Sequence, residues 1–410
     1  MSSSTLAPFQ LQPMLLSAVF IFQKKYDVIE ISENPERYSE ILARAKKTVG
    51  YATCGCCDAH LRLVIRKVSD VYRLSLWPYE GQKHDAHCYF YRLEVQERVA
   101  KGFALQSIVE SQDGTVAITP DFDLSLDREP KEAAPGAKGT ATTQRRVKRQ
   151  KAGLTALLRY LWESSECNQI RNRAATYWKT VYRLSLVMSQ CKIGKEDMTS
   201  VSFMPDMGKS RPDWYTEFIN RLKSSNEKIV RYGVLFGNLT AVELTKFGYR
   251  YMVQGLRPPL FVDKALQERI EQSFHFAIDA VLNPRGLNVW LAAQVELSAA
   301  GNLLVRQCGF LVTSRDFVPV DSMYEATFAN KLVDEGRSFY KPMVIEDGLV
   351  PDFVLTDTSK PTYIEVWGMN TDSYIARRAE KIASYQKLGH ALLEWDAASM
   401  MAMPQLPQKG

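Results

Sequence analysis

The sequence predicts a multidomain chain of mixed α/β class, and three observations carry that expectation. A Cys/His window lies among strand-like alternation near the N-terminus, a charged stretch nearly devoid of large apolar residues follows, and the C-terminal part interleaves helix-period and strand-period segments. The 410 residues are 46% hydrophobic and 24% charged, which suits a globular chain able to bury a real core and divide into two or three domains. A formal charge of +6 is mildly basic, so nucleic acid enters as a class of partner. No run of about 18 apolar residues appears, so no membrane span is expected. Of the 7 cysteines, Cys54, Cys56, Cys57 and Cys88 share one window with His60, His84 and His87, whereas Cys167, Cys191 and Cys308 are scattered. That mixture reads as a metal site in a cytoplasmic protein rather than a disulfide framework.

The first block, residues 1–127, is expected to be a β-rich module. "MLLSAVFIFQKK" reads as a buried strand, because its lysines follow the apolar run and no basic segment precedes it. "LRLVIRKV" and "VYRLSLW" alternate with the period of strands. Between and around them stands "CGCCDAHLRLVIRKVSDVYRLSLWPYEGQKHDAHC". Thiolates and imidazoles in fourfold arrangement suit Zn2+. Cys54 and Cys56 form the first candidate pair and His84 and Cys88 the second, brought together by two strands as in a zinc ribbon. The Cys-x-Cys spacing is tighter than usual for such pairs, so Cys57 or His87 could substitute. A structural ion uses all four positions, so no chemistry is assigned to it.

Residues 128–152 form a linker, since a segment so poor in apolar residues cannot offset its ordering entropy. It ends in "RRVKRQK", where Arg145, Arg146, Lys148 and Arg149 are candidate phosphate contacts or a solvated run. The next block, 153–320, opens with helical spacing in "GLTALLRYLWESSECNQI" and "RNRAATYWKTVYRLSLVMSQC", suggesting a helical or winged-helix-like unit. Tyr177, Trp178, Lys179, Tyr182 and Arg183 would suit a DNA-facing helix, or a core stripe with solvated charges. Leu287 to Leu297 alternate, and "LLVRQCGFLVTS" follows as the return strand of a hairpin. "MGKSR", Met207–Arg211, looks like the end of a phosphate-binding loop, but Phe203 stands where that loop needs an earlier glycine.

The last block, 321–400, has the most legible order. "SMYEATFANKLVDEG" reads as a helix stopped at Gly336, with Glu325 near its first turn. "FYKPMVIEDG", "PDFVLTD" and "TYIEVWG" read as strands, "TDSYIARRAEKIASYQKLG" as a helix and "ALLEWD" as a strand. Period two puts Tyr363, Glu365 and Trp367 on one face of the third strand. Asp352 and Glu365 would then project together, and two hard carboxylates can hold Mg2+ or Mn2+. Such an ion polarises a phosphate and activates water for in-line attack. Glu325 could complete the set.

This αβββαβ order, with Pro351-Asp352 and then Glu365, resembles the restriction-endonuclease-like core of the PD-(D/E)xK nuclease superfamily. The resemblance implies metal binding by Asp352 and Glu365. The departure is Trp367, which stands where that pattern has a lysine. Related families supply the lysine from the following helix, where Tyr374, Arg378, Lys381 and Tyr385 share a face. Lys381 is the candidate substitute, with Arg377 or Arg378 next, and both arginines are candidate contacts to nucleic acid. More broadly, "CGC", "HDAHC", "GLTALLRYLWE" and "IEVWG" resemble an uncharacterised family of bacterial proteins carried by conjugative plasmids and integrative elements. The expectation is a DNA-processing protein of mobile elements that hydrolyses phosphodiesters with a metal ion, with conjugation or mobile-element proteins as further partners. The alternative is a catalytically inactive, nuclease-like zinc protein that binds DNA or a conjugation partner.

Overall fold

The computed structural model describes residues 18–68, 71–77, 80, 83–85, 88–90, 108–110, 115–127, 153–171, 175–206, 213–223, 229–343 and 349–410. The basic run at Arg145, Arg146, Lys148 and Arg149, His87 and the Met207–Arg211 stretch lie outside the described residues. The chain forms two compact units, Met1–Gln96 and Glu97–Gly410. The strands at 108–118, read with the first block, thus group with the second unit. Among the described residues no helix is long and apolar enough to cross a membrane.

The first unit is a five-stranded antiparallel sheet in the order Lys24–Asp27, Ala18–Ile21, Tyr51–Cys54, Arg62–Val68, Val71–Leu76. Alternation sets its faces: Leu63 and Ile65 are buried while Arg62 is exposed and Val64 and Arg66 are half-buried. The buried side packs with Leu42 and Ala45 of the helix Pro35–Thr48. Pro35 starts that helix with a fixed φ, and Lys46 and Lys47 oppose the partial negative charge of its last turn. The two strands expected between the ligand pairs are present. They belong to a larger sheet carrying two helices, Val28–Glu33 and Pro35–Thr48, rather than to a bare ribbon.

In the second unit the middle region, expected as a helical or winged-helix-like unit with a β-hairpin, holds more sheet than that. Helices Leu154–Ser164 and Tyr177–Met188 do form, but most of the region is built on a six-stranded sheet. The reason is local: the first seven residues of the strand Gly233–Leu244 are all buried, so they show no alternation for a sequence reading to detect. This strand pairs through Gly233–Leu239 with Asn288–Leu297 and through Leu239–Leu244 with Gly248–Val253, and a bulge lies between Leu239 and Ala241. A Cβ at Gly237 would lie 2.3 Å from Val253 Cγ1, so glycine lets the Val253 side chain pack close against the strand there. The expected hairpin forms from Asn288–Leu297 and Leu303–Thr313.

The C-terminal sheet has the order Ala391–Asp396, Thr362–Trp367, Phe353–Leu355, Phe339–Tyr340, Gln169–Ile170. Its neighbours are antiparallel except Thr362–Trp367 with Ala391–Asp396, which run parallel. The parallel pair needs a crossover, and the helix Asp372–Leu388 supplies it. The helix Met323–Asp334 precedes the three antiparallel strands, so the element order is helix, three strands, helix, strand. Ser322 caps the first helix by accepting from the Glu325 N–H at 3.1 Å. The glycines at both helix ends take left-handed φ, 62° at Gly336 and 69° at Gly389. Ile364 and Val366 join Phe328, Phe339 and Phe353 in the core, leaving Glu365 and Trp367 on the opposite face.

Candidate functional site

In the first unit Cys54 ends its strand, Cys56 follows on the turn, and His84 and Cys88 lie on the returning segment. Their four ligand atoms all lie within 4.8 Å of one another. Cys54 Sγ is 3.5 Å from Cys88 Sγ, and His84 Nδ1 is 3.3 Å from Cys56 Sγ and 3.5 Å from Cys88 Sγ. Tetrahedral bonds to zinc require ligand–ligand separations of about 3.5–3.8 Å, so the donor set fits an ion of that kind. Burial pushes the Cys56 thiol up to about 12. The hydrogen bond with Cys54, together with burial, does the same for Cys88, to about 12. Both thiols are neutral without an ion, and taking one up would release protons. Cys57, half-buried, is not part of the cluster. The group could hold a metal such as zinc, and it offers four protein ligands with no open position.

The second site lies where Asp352, just before the strand Phe353–Leu355, meets Glu365 in the middle of Thr362–Trp367. Asp352 extends the strand pair by donating its N–H to Ile364 O at 3.0 Å, and its Oδ2 accepts from Val366 N at 2.7 Å. Glu365 is only 1% exposed. Lys381, projecting from the helix Asp372–Leu388, contacts both Glu365 oxygens at 2.7 and 2.8 Å and donates to Val350 O at 2.8 Å. Tyr385, one turn further on, donates to Glu365 Oε1 at 2.6 Å. The structure thus brings Asp352, Glu365 and Lys381 together.

Glu325, in the first turn of its helix, is buried and bound by Lys341, whose ammonium also contacts Asp321 at 3.0 Å. Lys341 escaped the sequence reading, although a lysine one place beyond the apolar pair Phe339-Tyr340 was a visible signal. Burial pushes the Glu325 carboxyl up to about 7, against the pull of Lys341. Asp352 is raised to about 6 by burial and by Glu365, against Lys341 and Lys381. Burial opposes the Lys341 ammonium, but Asp321, Glu325 and Asp352 outweigh it and hold its pKa above the ordinary lysine range. Burial and mutual repulsion thus disfavour the ionised carboxylates, a cost that an added cation would relieve.

Trp367 fills the position of the expected lysine. It is 4% exposed, donates from Nε1 to Glu394 Oε2 at 2.8 Å, and lies beneath Arg378 at 5.1 Å. It is packed and not available to stack on a substrate. Arg378 is engaged by Asp396 at 2.7 Å and Glu394 at 3.5 Å, whereas Arg377 is exposed and lies 5.9 Å from the Tyr374 ring.

Together these features define a two-unit α/β protein with a Cys/His cluster able to hold a metal in one unit and a buried carboxylate–lysine site in the other. The chain belongs to the family described as "Protein of unknown function (DUF1173)", whose family model matches residues 26–398. No curated protein matches it.

Proposed function

We propose that the second unit hydrolyses DNA phosphodiesters with a divalent ion, in the manner of the restriction-endonuclease-like core. The observation that carries this reading is Lys381 reaching from the crossover helix onto Glu365 beside Asp352, which supplies from the helix the cation that Trp367 removes from the strand. Asp352 and Glu365 would hold Mg2+ or Mn2+, with Glu325 assisting. Among the described residues only the Cys/His group brings three or more ligand atoms within 4.8 Å. The acids therefore do not form a closed cage, which suits a magnesium-type site completed by water and phosphate oxygens. When bound, the ion would polarise the phosphate and activate water. Tyr385 fixes the orientation of Glu365, and Lys381 places positive charge where the pentavalent phosphate gains negative charge. Arg377 would contact the backbone of the nucleic acid.

The wider resemblance supports a setting in the cytoplasm and in the transfer of mobile elements, with a zinc-bearing first unit. The reading is tested by converting supercoiled plasmid to its nicked form with Mg2+ or Mn2+. Wild type is expected to nick and Asp352→Ala and Glu365→Ala are not. A second reading, binding of DNA or a conjugation partner without cleavage, is favoured by the engagement of both Glu365 oxygens, which an ion would have to displace. It predicts DNA affinity with no metal-dependent nicking in any variant.

A further inference from the structure

The middle of the second unit contains a closed barrel that the carboxylate–lysine site does not use. Taken in chain order as first to fifth, Gly233–Leu244, Gly248–Val253, Leu260–Asp263, Asn288–Leu297 and Leu303–Thr313 hydrogen-bond in the ring 1-2-3-5-4-1. The third and fifth strands are parallel and the other neighbours antiparallel. The helices Lys264–Ser273 and His275–Leu282 are inserted between the third and fourth. This is the connectivity of the five-stranded Greek-key barrels whose second and third strands, with the 1–2 and 4–5 loops, bind oligonucleotides or oligosaccharides. Because a fold alone does not assign a ligand, the side chains on those elements have to supply its chemistry.

Period two separates the faces. Tyr251, Val253, Leu260 and Val262 are buried inside the barrel, so Arg250, Met252 and Phe261 point outward, and Arg250 and Phe261 are paired across the strands. The first strand ends at Leu244 and the 1–2 loop carries Phe247, which are 71% and 82% exposed. Exposed apolar side chains of this size at a tight turn have no role in the core. The turn is held rigid: Thr245 N donates to Gly248 O at 2.7 Å, and the Thr245 hydroxyl bonds both Gly248 N and O. Lys246 sits 5.3 Å from the Phe247 ring. The nearby acids are engaged, Glu243 by Arg250, Glu296 by Arg306, and Asp263 as the cap of the following helix at Leu266 N. Exposed Lys246 is left as charge that these acids do not balance, which selects a polyanion over a neutral sugar.

We propose that this face of the barrel binds single-stranded nucleic acid. A base stacks on Phe247 at the tip of the 1–2 loop, the strand passes over Phe261 and Met252, and Lys246 contacts its phosphates. Stacking on an aromatic ring needs an unpaired base, which is why a single strand and not a duplex is the ligand. The inference goes beyond the nuclease reading, since a barrel that binds while the chain fails to cut would still satisfy it.

The test is fluorescence anisotropy of a labelled oligothymidine and of a duplex of equal length, with the full chain and no added divalent ion. Wild type is expected to bind the single strand more tightly than the duplex. Phe247→Ala should weaken binding about 5- to 100-fold, as loss of one base–aromatic stack does. Lys246→Ala should weaken it and flatten the salt dependence by about one phosphate contact. Because no divalent ion is present, binding is read without nicking, so failure of the nuclease reading and failure of this one are separable. Both barrel positions are exposed, and unchanged thermal melting of each variant controls for folding. Equal or tighter duplex binding, no measurable binding, or wild-type affinity in both barrel variants would overturn the proposal. So would competition by a neutral oligosaccharide.

Discussion

Replacing Lys381 by Met removes the ammonium that neutralises a carboxylate only 1% exposed. Glu365 would keep the Tyr385 hydroxyl at 2.6 Å but lose both contacts to Lys381, at 2.7 and 2.8 Å. Breaking a buried pair from one side costs about 3–5 kcal/mol, because the remaining charge is left desolvated. The Lys381 side chain is 28% exposed, so water recovers part of that, and a loss of about 2–3 kcal/mol is expected after screening. Glu365→Gln removes the charge and keeps an acceptor for Tyr385, so it should cost less. In the double variant the two losses should not add, leaving a coupling of about 1.5–2 kcal/mol. Urea unfolding of the metal-free protein, followed in the transition of the second unit, measures each value. If Lys381→Met costs less than about 0.5 kcal/mol, or the two costs simply sum within that error, Lys381 does not hold Glu365 and its placement in the site is wrong.

Four other outcomes follow from the structure. Purified protein should carry one zinc, and Cys54→Ser or a strong chelator should remove it and unfold the first unit while the second keeps its own transition. Structural zinc contributes on the order of 10 kcal/mol in apparent terms, and metal analysis with thermal melting checks this. Glu325 at about 7 and Asp352 at about 6 lie above their unfolded values of 4.5 and 3.8. Between those limits the folded state binds more protons, so metal-free stability should fall as pH rises through that window. An ion needs the ionised forms, so Mn2+ should raise the melting temperature more at about pH 7.5 than at about pH 5.5. Gly389→Ala forces a side chain into φ 69° and should lower stability by about 1 kcal/mol, read from the shift in urea midpoint.

The parts of the fold that declared themselves in the sequence were those with clean periodicity and clear stops. The C-terminal order was readable because Gly336 and Gly389 end two helices and the intervening strands are short and apolar. The barrel was not, because strands such as Gly233–Leu239 are buried on both faces and carry no alternation. At the candidate site, the face shared by Tyr374, Arg378, Lys381 and Tyr385 followed from helical spacing, and Lys381 and Tyr385 do converge on Glu365. Lys341 could not be placed that way, since its partner Glu325 comes from a different element and only the assembled sheet brings the two together. The Cys/His set was legible because four soft ligands are rarely concentrated in one window without an ion.

Metal-dependent cleavage at Asp352 and Glu365 is tested most directly by the single-turnover rate of plasmid nicking in Mn2+, with protein in excess. Wild type is compared with Asp352→Asn, a near-isosteric change that removes the charge while zinc content and far-ultraviolet dichroism are held equal. Nicking should require the added ion and fall at least about 100-fold in the variant, the scale expected when one preorganised electrostatic group is lost. Equal rates in the two proteins, or no nicking by either at any Mn2+ concentration, would contradict metal-dependent cleavage there.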